Sequence, residues 1–188
     1  MKAKLAAGVI IVAGATLVAA STQLQDFLGR WEGEGQNVVY ADKLAHGLPT
    51  VCRGITRHVT STPIVVGERW SDEKCAREEA AAIAKVQRSL ATCFRYPPPQ
   101  EVFDAATSHA WNNGVVATCN SAAMRAWNAE QWALGCRRLA LSDDDRPVWS
   151  FVRTGRTLPN GSPEYKFVQG LANRRQAERG WCMAGVRP

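Results

Sequence analysis

Apolar and polar positions divide the chain into stretches of different period. Leu5 through Ala20 are sixteen residues without a charge, preceded by Lys2 and Lys4 and followed by polar Ser21-Thr22-Gln23. Leu24, Phe27, Leu28 and Trp31 then fall at i, i+3, i+4 and i+7, which predicts a short helix with one apolar face. Gly33 can supply the left-handed residue that ends it. From Tyr40 to Trp70 the pattern changes. Val51, Ile55, Val59 and Thr60, then Ile64-Val65-Val66, are β-branched segments broken by Gly54, Pro63 and Gly67, which predicts short strands in a small sheet. Ser71-Asp72-Glu73 opens a run through Cys93 that lacks Gly and Pro, with Ser71 or Asp72 as N-cap, so a long helix is expected within 71–96. Pro97-Pro98-Pro99 cannot continue it, and Gln100 begins a further, mainly helical region. Asn160-Gly161-Ser162-Pro163 predicts a turn in a loop between helical segments. The expected organisation is an N-terminal segment 1–22 and a domain 23–188, the latter divided into 23–70, 71–96 and 97–188.

Candidate chemistry sits where the first helix ends. Glu32 lies four residues after Leu28, at the edge of the apolar face. A carboxyl held against apolar surface has its charged form disfavoured, which suits a general acid working near neutral pH. Tyr40-Ala41-Asp42 follows, and then Thr50 within Pro49-Thr50-Val51-Cys52-Arg53-Gly54. Glu34, also followed by glycine, is a rival acid placed beyond the expected helix stop.

These residues resemble the catalytic region of the phage-type lysozymes, glycoside hydrolase family 24, which carry a Glu-Gly helix end, a Tyr-x-Asp and then a Thr. The resemblance extends to the long helix opened by Ser71-Asp72-Glu73, to Phe103-Asp104-Ala105, Ser108 and Ala110-Trp111-Asn112-Asn113-Gly114, and to Gly170 through Arg179. It runs from about residue 24 to 182. It implies a mainly helical α+β fold of two lobes, with a small antiparallel sheet lobe and a larger helical lobe joined by a long helix. To this the apolar N-terminus would add a further helix. The resemblance also implies Glu32 as acid, Asp42 as the carboxylate that positions water and Thr50 as its polar helper. The substrate would be peptidoglycan and the outcome inverting. Nine residues lie between Glu32 and Asp42 and seven between Asp42 and Thr50, both slightly longer than the family's spacing.

Compartment and partners follow from the N-terminus and the charge. A positive start, an apolar middle and small Val18-Ala19-Ala20 describe a cleavable signal peptide. A permanent anchor needs about 20 strongly apolar residues, and Gly8, Gly14 and Thr16 dilute this segment. The third reading resembles the signal-anchor-release segments of some phage lysozymes, which tether the enzyme to the inner membrane and later slip out uncleaved into the periplasm of a Gram-negative host. In every case the domain is exported. Only eleven residues separate Ala20 from Glu32, so tethering would hold the acid against the bilayer. A holin that times release is implied by the resemblance alone, and a monomer is expected. The net charge of +6, from 23 basic and 17 acidic residues, favours a polyanionic partner such as the bacterial envelope. Arg174, Arg175 and Arg179 are its densest cluster, either a binding patch or a solvated helix face. No nucleic-acid motif is present, so nucleic acid is not an expected partner. Six cysteines, all beyond the export segment, are expected to pair in an oxidising compartment, in any of 15 connectivities. Seven tryptophans are expected mostly in the core, with one near a cleft available to stack on sugar.

Two rival functions remain open. A wall peptidase or amidase would use Cys52 with His58 or His109. His46, His58 and His109 show no metal-ligand spacing, so no metal or cofactor is expected. A non-catalytic envelope-binding protein with the same fold is the other rival, and the lengthened spacing around Asp42 favours it.

Overall fold

A computed structural model describes residues 8–33, 35–43 and 46–186. They form two compact units, divided in the chain between Thr92 and Cys93. Glu34, Lys2 and Lys4 lie outside the described residues.

The first unit opens with a strand pair where a helix was expected. The apolar N-terminal segment is not a helix over its described part: β1 (Val9–Val12) and β2 (Ala15–Val18) pair as an antiparallel hairpin. Ala13 and Gly14, both at positive φ, form its two-residue loop, the geometry that matches the twist of paired strands. Val12 and Leu17 point inward with Ala19 and Ala20 behind them, while Val9, Ile11 and Val18 are exposed. In lipid a lone segment satisfies its backbone only as a helix, whereas here neighbouring strands do so. No helix among the described residues is long and apolar enough to cross a membrane.

α1 (Thr22–Glu32) follows, its start capped by Ser21 Oγ, which accepts from Leu24 N at 3.1 Å. β3 (Gln36–Asp42) and β4 (Leu48–Cys52) make the small antiparallel sheet. Past β4, the expected strand at Ile64–Val66 is absent and Val65 and Val66 are exposed in a loop. Pro63 and Gly67 leave too short a run, and Gly67–Trp70 instead lies along β3, where Trp70 N donates to Asn37 O at 2.8 Å. α2 (Asp72–Ala91) is the long helix, capped by Ser71 Oγ and finished at Thr92, ahead of the prolines. Its apolar face carries Ala76, Ala80, Ile83, Ala84 and Leu90 into the core. Buried Gln87 accepts from Ala20 N at 2.7 Å, and Gln25 Nε2 of α1 donates to Ala20 O at 2.7 Å. The end of the N-terminal hairpin is thereby tied into both helices.

The second unit is built around α3 (Gln100–Asn113), whose residues from Val102 to Ala110 are all buried. Around it lie α4 (Val115–Cys119), α5 (Ala122–Trp127), α6 (Trp132–Arg137) and α7 (Gln169–Gly185). Trp127 is fully buried, stacked on Phe94 and pressed against Gly135, where any Cβ would collide with the indole. Asn160-Gly161 turns a β-hairpin rather than a loop between helices. β5 (Phe151–Thr157) pairs antiparallel with β6 (Pro163–Phe167), because Val152, Thr154, Tyr165 and Phe167 favour strands around that turn.

Arg174 and Arg175 are buried, neither a surface patch nor a solvated face. Arg175 Nη2 donates to Glu178 Oε1 at 2.7 Å, and Ser108 Oγ of α3 donates to the same oxygen at 2.7 Å. Burial draws the Arg175 guanidinium down to about 10, with Glu178 opposing the shift. Burial pushes the Glu178 carboxyl up against the pull of Arg175. Beside them, buried His109 shares a 2.8 Å hydrogen bond with Thr118 Oγ1, whose own proton goes to Gly114 O. That leaves Nδ1 of His109 as the donor. Burial, then the charges of Arg175 and Arg174, hold His109 well below the usual histidine range.

All six cysteines pair, and each bridge stays within one unit. Cys52–Cys75 ties β4 to α2, Cys93–Cys119 ties the start of the second unit to α4, and Cys136–Cys182 ties α6 to α7. Their sequence separations of 23, 26 and 46 residues correspond to about 3–4 kcal/mol of stabilisation each by the loop-closure argument.

Candidate active site

The three candidate residues occupy consecutive elements of the first unit. Glu32 is the last residue of α1, followed by Gly33 at φ 77°, which turns the chain toward β3. The Glu32 side chain is exposed, so the helix end does not give it the apolar wall that the sequence pattern suggests. The apolar stripe buries Leu24, Phe27 and Leu28, and at the helix end Trp31 is only half-buried. Asp42 closes β3, half-buried, and Thr50 is buried in β4. The sheet pairs Tyr40 with Thr50 and Asp42 with Leu48. Opposite residues share a face, as do residues two apart on a strand, so Asp42 and Thr50 are diagonal neighbours on one face. Thr50 Oγ1 donates to Leu48 O at 3.0 Å. With its proton so committed, the hydroxyl oxygen is left as an acceptor.

What links the helix end to the sheet was not legible in the motif. Gly35 leads into β3, where Gln36 pairs with Cys52. A Cβ on Gly35 would sit 2.7 Å from the Cys52 carbonyl carbon and 2.8 Å from its oxygen, so the chain leaving α1 runs directly against the end of β4. One residue on, the Arg53 guanidinium lies over Gly29 of α1, with Nη1 3.0 Å from where a Cβ would stand. Glu79 of α2 accepts from Arg53 N at 3.1 Å and from Arg53 Nη1 at 3.4 Å. One turn of α2 thus holds the far side of this segment through Cys75, Glu78 and Glu79. Glu78 accepts from Thr60 Oγ1 at 2.6 Å and Thr62 Oγ1 at 2.8 Å. The only hint in the sequence was the position of Cys52-Arg53 directly after Thr50-Val51.

The thiol rival does not survive this geometry. Cys52 is bonded to Cys75 and offers no thiolate, while His109 belongs to the second unit, buried against Thr118. His46 and His58 are exposed. Among the described residues no group of three or more His, Cys, Asp or Glu could hold a metal ion.

A family model described as phage lysozyme matches residues 29–178. Among solved structures, an endolysin from Escherichia coli O157:H7 phage FAHEc1 is similar with a TM-score of 0.67 and 22% identity, covering 89% of this chain and 95% of that one. The muramidase domain of SpmX from Asticaccaulis excentricus is similar with a TM-score of 0.65 and 18% identity, over 89% of this chain and 97% of that one. A P22 lysozyme mutant is similar with a TM-score of 0.63 and 22% identity, over 87% of this chain and 97% of that one. At such identities these structures speak for the fold alone. No curated protein matches the sequence.

Proposed function

The chain belongs to the phage lysozyme family, and on that premise we propose that it is an endolysin that hydrolyses the β-1,4 bond between N-acetylmuramic acid and N-acetylglucosamine in peptidoglycan. The observation that carries the reading is the order of three groups within one unit. A carboxyl at a helix end is followed by a carboxylate and a hydroxyl on one face of the next hairpin. Protonated Glu32 gives its proton to the glycosidic oxygen as the bond to the muramic acid C1 breaks. Asp42, as carboxylate, takes a proton from water arriving at the opposite face of C1. Thr50 accepts a hydrogen bond from that water and holds it in line. The outcome is inversion, which calls for carboxyl groups roughly 6.5–9.5 Å apart. Products of purified peptidoglycan, reduced with borohydride and separated by mass, test which bond is cut. A muramidase leaves reduced muramic acid ends, whereas a peptidase leaves new amino termini and no reducing ends.

The same reading extends to export. The apolar segment 5–20 would span the inner membrane as a helix and leave it uncleaved, the timing set by a holin. Support comes from packing: Val12, Leu17, Ala19 and Ala20 are buried in the first unit, with Ala20 held by Gln25 and Gln87. Cleavage after Ala20 would strip those residues from a formed core. While they sit in lipid, the unit lacks them, so exit from the membrane would complete the fold that carries Glu32. The second reading, a wall-binding protein without hydrolysis, is favoured only by the spacing of Glu32 and Asp42, and it predicts binding with no release of sugar.

A further inference from the structure

The hairpin of β5 and β6 stands apart from the economy of the rest of the second unit. Every residue of β5 is exposed, and neither strand packs extensively on another element. An isolated two-stranded hairpin is marginal in water, yet this one leaves large apolar side chains open: Phe151 is 46% exposed, Phe167 40% and Tyr165 58%. The register sets their arrangement. Phe151 faces Phe167, with ring centroids 5.5 Å apart, and Arg153 faces Tyr165. Tyr165 and Phe167 are two apart on β6, so three aromatic rings and one guanidinium share a single face. A concavity of about 500 Å³ beside them is lined by Thr154, Arg156, Glu164, Tyr165 and Lys166. Glu164, the one acid of the hairpin, accepts from Thr154 Oγ1 at 2.6 Å. Arg153, Arg156 and Lys166 make no ion pair among the described residues, whereas Arg137, Arg138 and Arg146 of the same unit all pair with Asp143, Asp144 or Asp145.

We propose that this hairpin is an accessory binding surface for the glycan strand of the cell wall, holding the enzyme on its polymer outside the catalytic residues. The inference rests on the glycosidase reading for its choice of ligand. Exposed aromatic surface that carries an unpaired cation, with two more on the same hairpin, marks a binding region. A wall glycan offers both complements, apolar faces of sugar rings for Phe151, Tyr165 and Phe167, and stem-peptide carboxylates for Arg153 on that face and for Arg156 and Lys166 at the adjoining concavity. A bilayer fits less well. The tip of the hairpin is Pro159-Asn160-Gly161-Ser162, a polar turn, and the rings lie along the strands instead of at the end that would enter lipid.

The test is co-sedimentation of the full chain with purified peptidoglycan sacculi, every protein carrying Glu32→Gln so that the wall stays intact. Two variants are compared: Tyr165→Ala with Phe167→Ser, and the triple change of Arg153, Arg156 and Lys166 to Gln. Each should weaken sacculus binding by about tenfold, and the triple change should also flatten its salt dependence. Melting temperatures should stay near that of the parent, since neither strand packs extensively on another element. Sacculus binding within about twofold of the parent in both variants overturns the proposal. So does a loss confined to phosphatidylglycerol vesicles. In the active background the same variants should release sugar normally from short soluble glycan fragments and poorly from sacculi. If the parent releases no sugar from either, yet sacculus binding still depends on the hairpin, the glycosidase reading fails and this one stands.

Discussion

Removal of residues 1–20 should cost the first unit a large share of its stability, although an ordinary signal peptide would be dispensable. Val12, Leu17, Ala19 and Ala20 are buried, with β1 against α2 and Ala20 bonded to Gln87 and Gln25. Burying a Val or Leu side chain is worth about 1.5–3 kcal/mol, so Val12 and Leu17 alone contribute about 3–6 kcal/mol. Gln87 and Gln25 also lose their partners at Ala20, but water reaches them once the hairpin is gone, and that loss adds roughly 1 kcal/mol or less. Against a typical total of about 5–15 kcal/mol, the truncated chain should melt well below the full one. At roughly 3 °C per kcal/mol for a chain of this size, the drop is about 10–20 °C. Thermal unfolding of the full chain and of residues 21–188, both oxidised, measures it. A truncated protein that melts within about 3 °C of the full chain would refute the claim that the export segment becomes part of the folded core.

Three further outcomes follow from the packing around the site. Gly35→Ala forces a Cβ against the Cys52 carbonyl, and should cost roughly 1–3 kcal/mol and lower sugar release; a variant as stable and active as the parent would contradict that close approach. Glu79→Ala removes both hydrogen bonds that hold Arg53, and should lower activity more than stability, with a loss of about 1–2 kcal/mol by denaturant titration. His109, held well below its usual range by burial, is neutral in the folded chain while the unfolded chain takes up a proton below about pH 6.5. Stability should therefore be full above that pH and fall as pH drops, by up to about 1.4 kcal/mol per unit, until the folded value is reached. Denaturant titrations between pH 7 and 5 measure this, and His109→Gln should remove that part of the slope.

The helices were legible because their signals are local. Ser71 and the uninterrupted run to Ala91 specify α2, and Leu24, Phe27 and Leu28 specify the buried face of α1. The N-terminal hairpin was hidden by its own composition. Val9, Ile11 and Val18 face outward and are as apolar as inward Val12 and Leu17, so no alternation is visible and the segment reads as a membrane helix. The Arg174–Arg175 pair misled for the opposite reason, since charge predicts exposure, whereas here both guanidiniums share the Oε1 oxygen of buried Glu178. At the site, the adjacency of Asp42 and Thr50 follows from the register of β3 and β4, a pairing the sequence pattern did not specify. The brace from Arg53 to Glu79 and the approach of Gly35 to Cys52 are contacts between residues far apart in sequence, which no local pattern encodes.

The central claim is tested most directly by release of reducing sugar from purified peptidoglycan by the full oxidised chain, set beside Glu32→Gln, Glu34→Gln and Asp42→Asn variants of matched stability. The parent and Glu34→Gln should release sugar, and Glu32→Gln and Asp42→Asn should not. Equal release by Glu32→Gln and the parent, or no reducing ends from a well-folded parent, would contradict it.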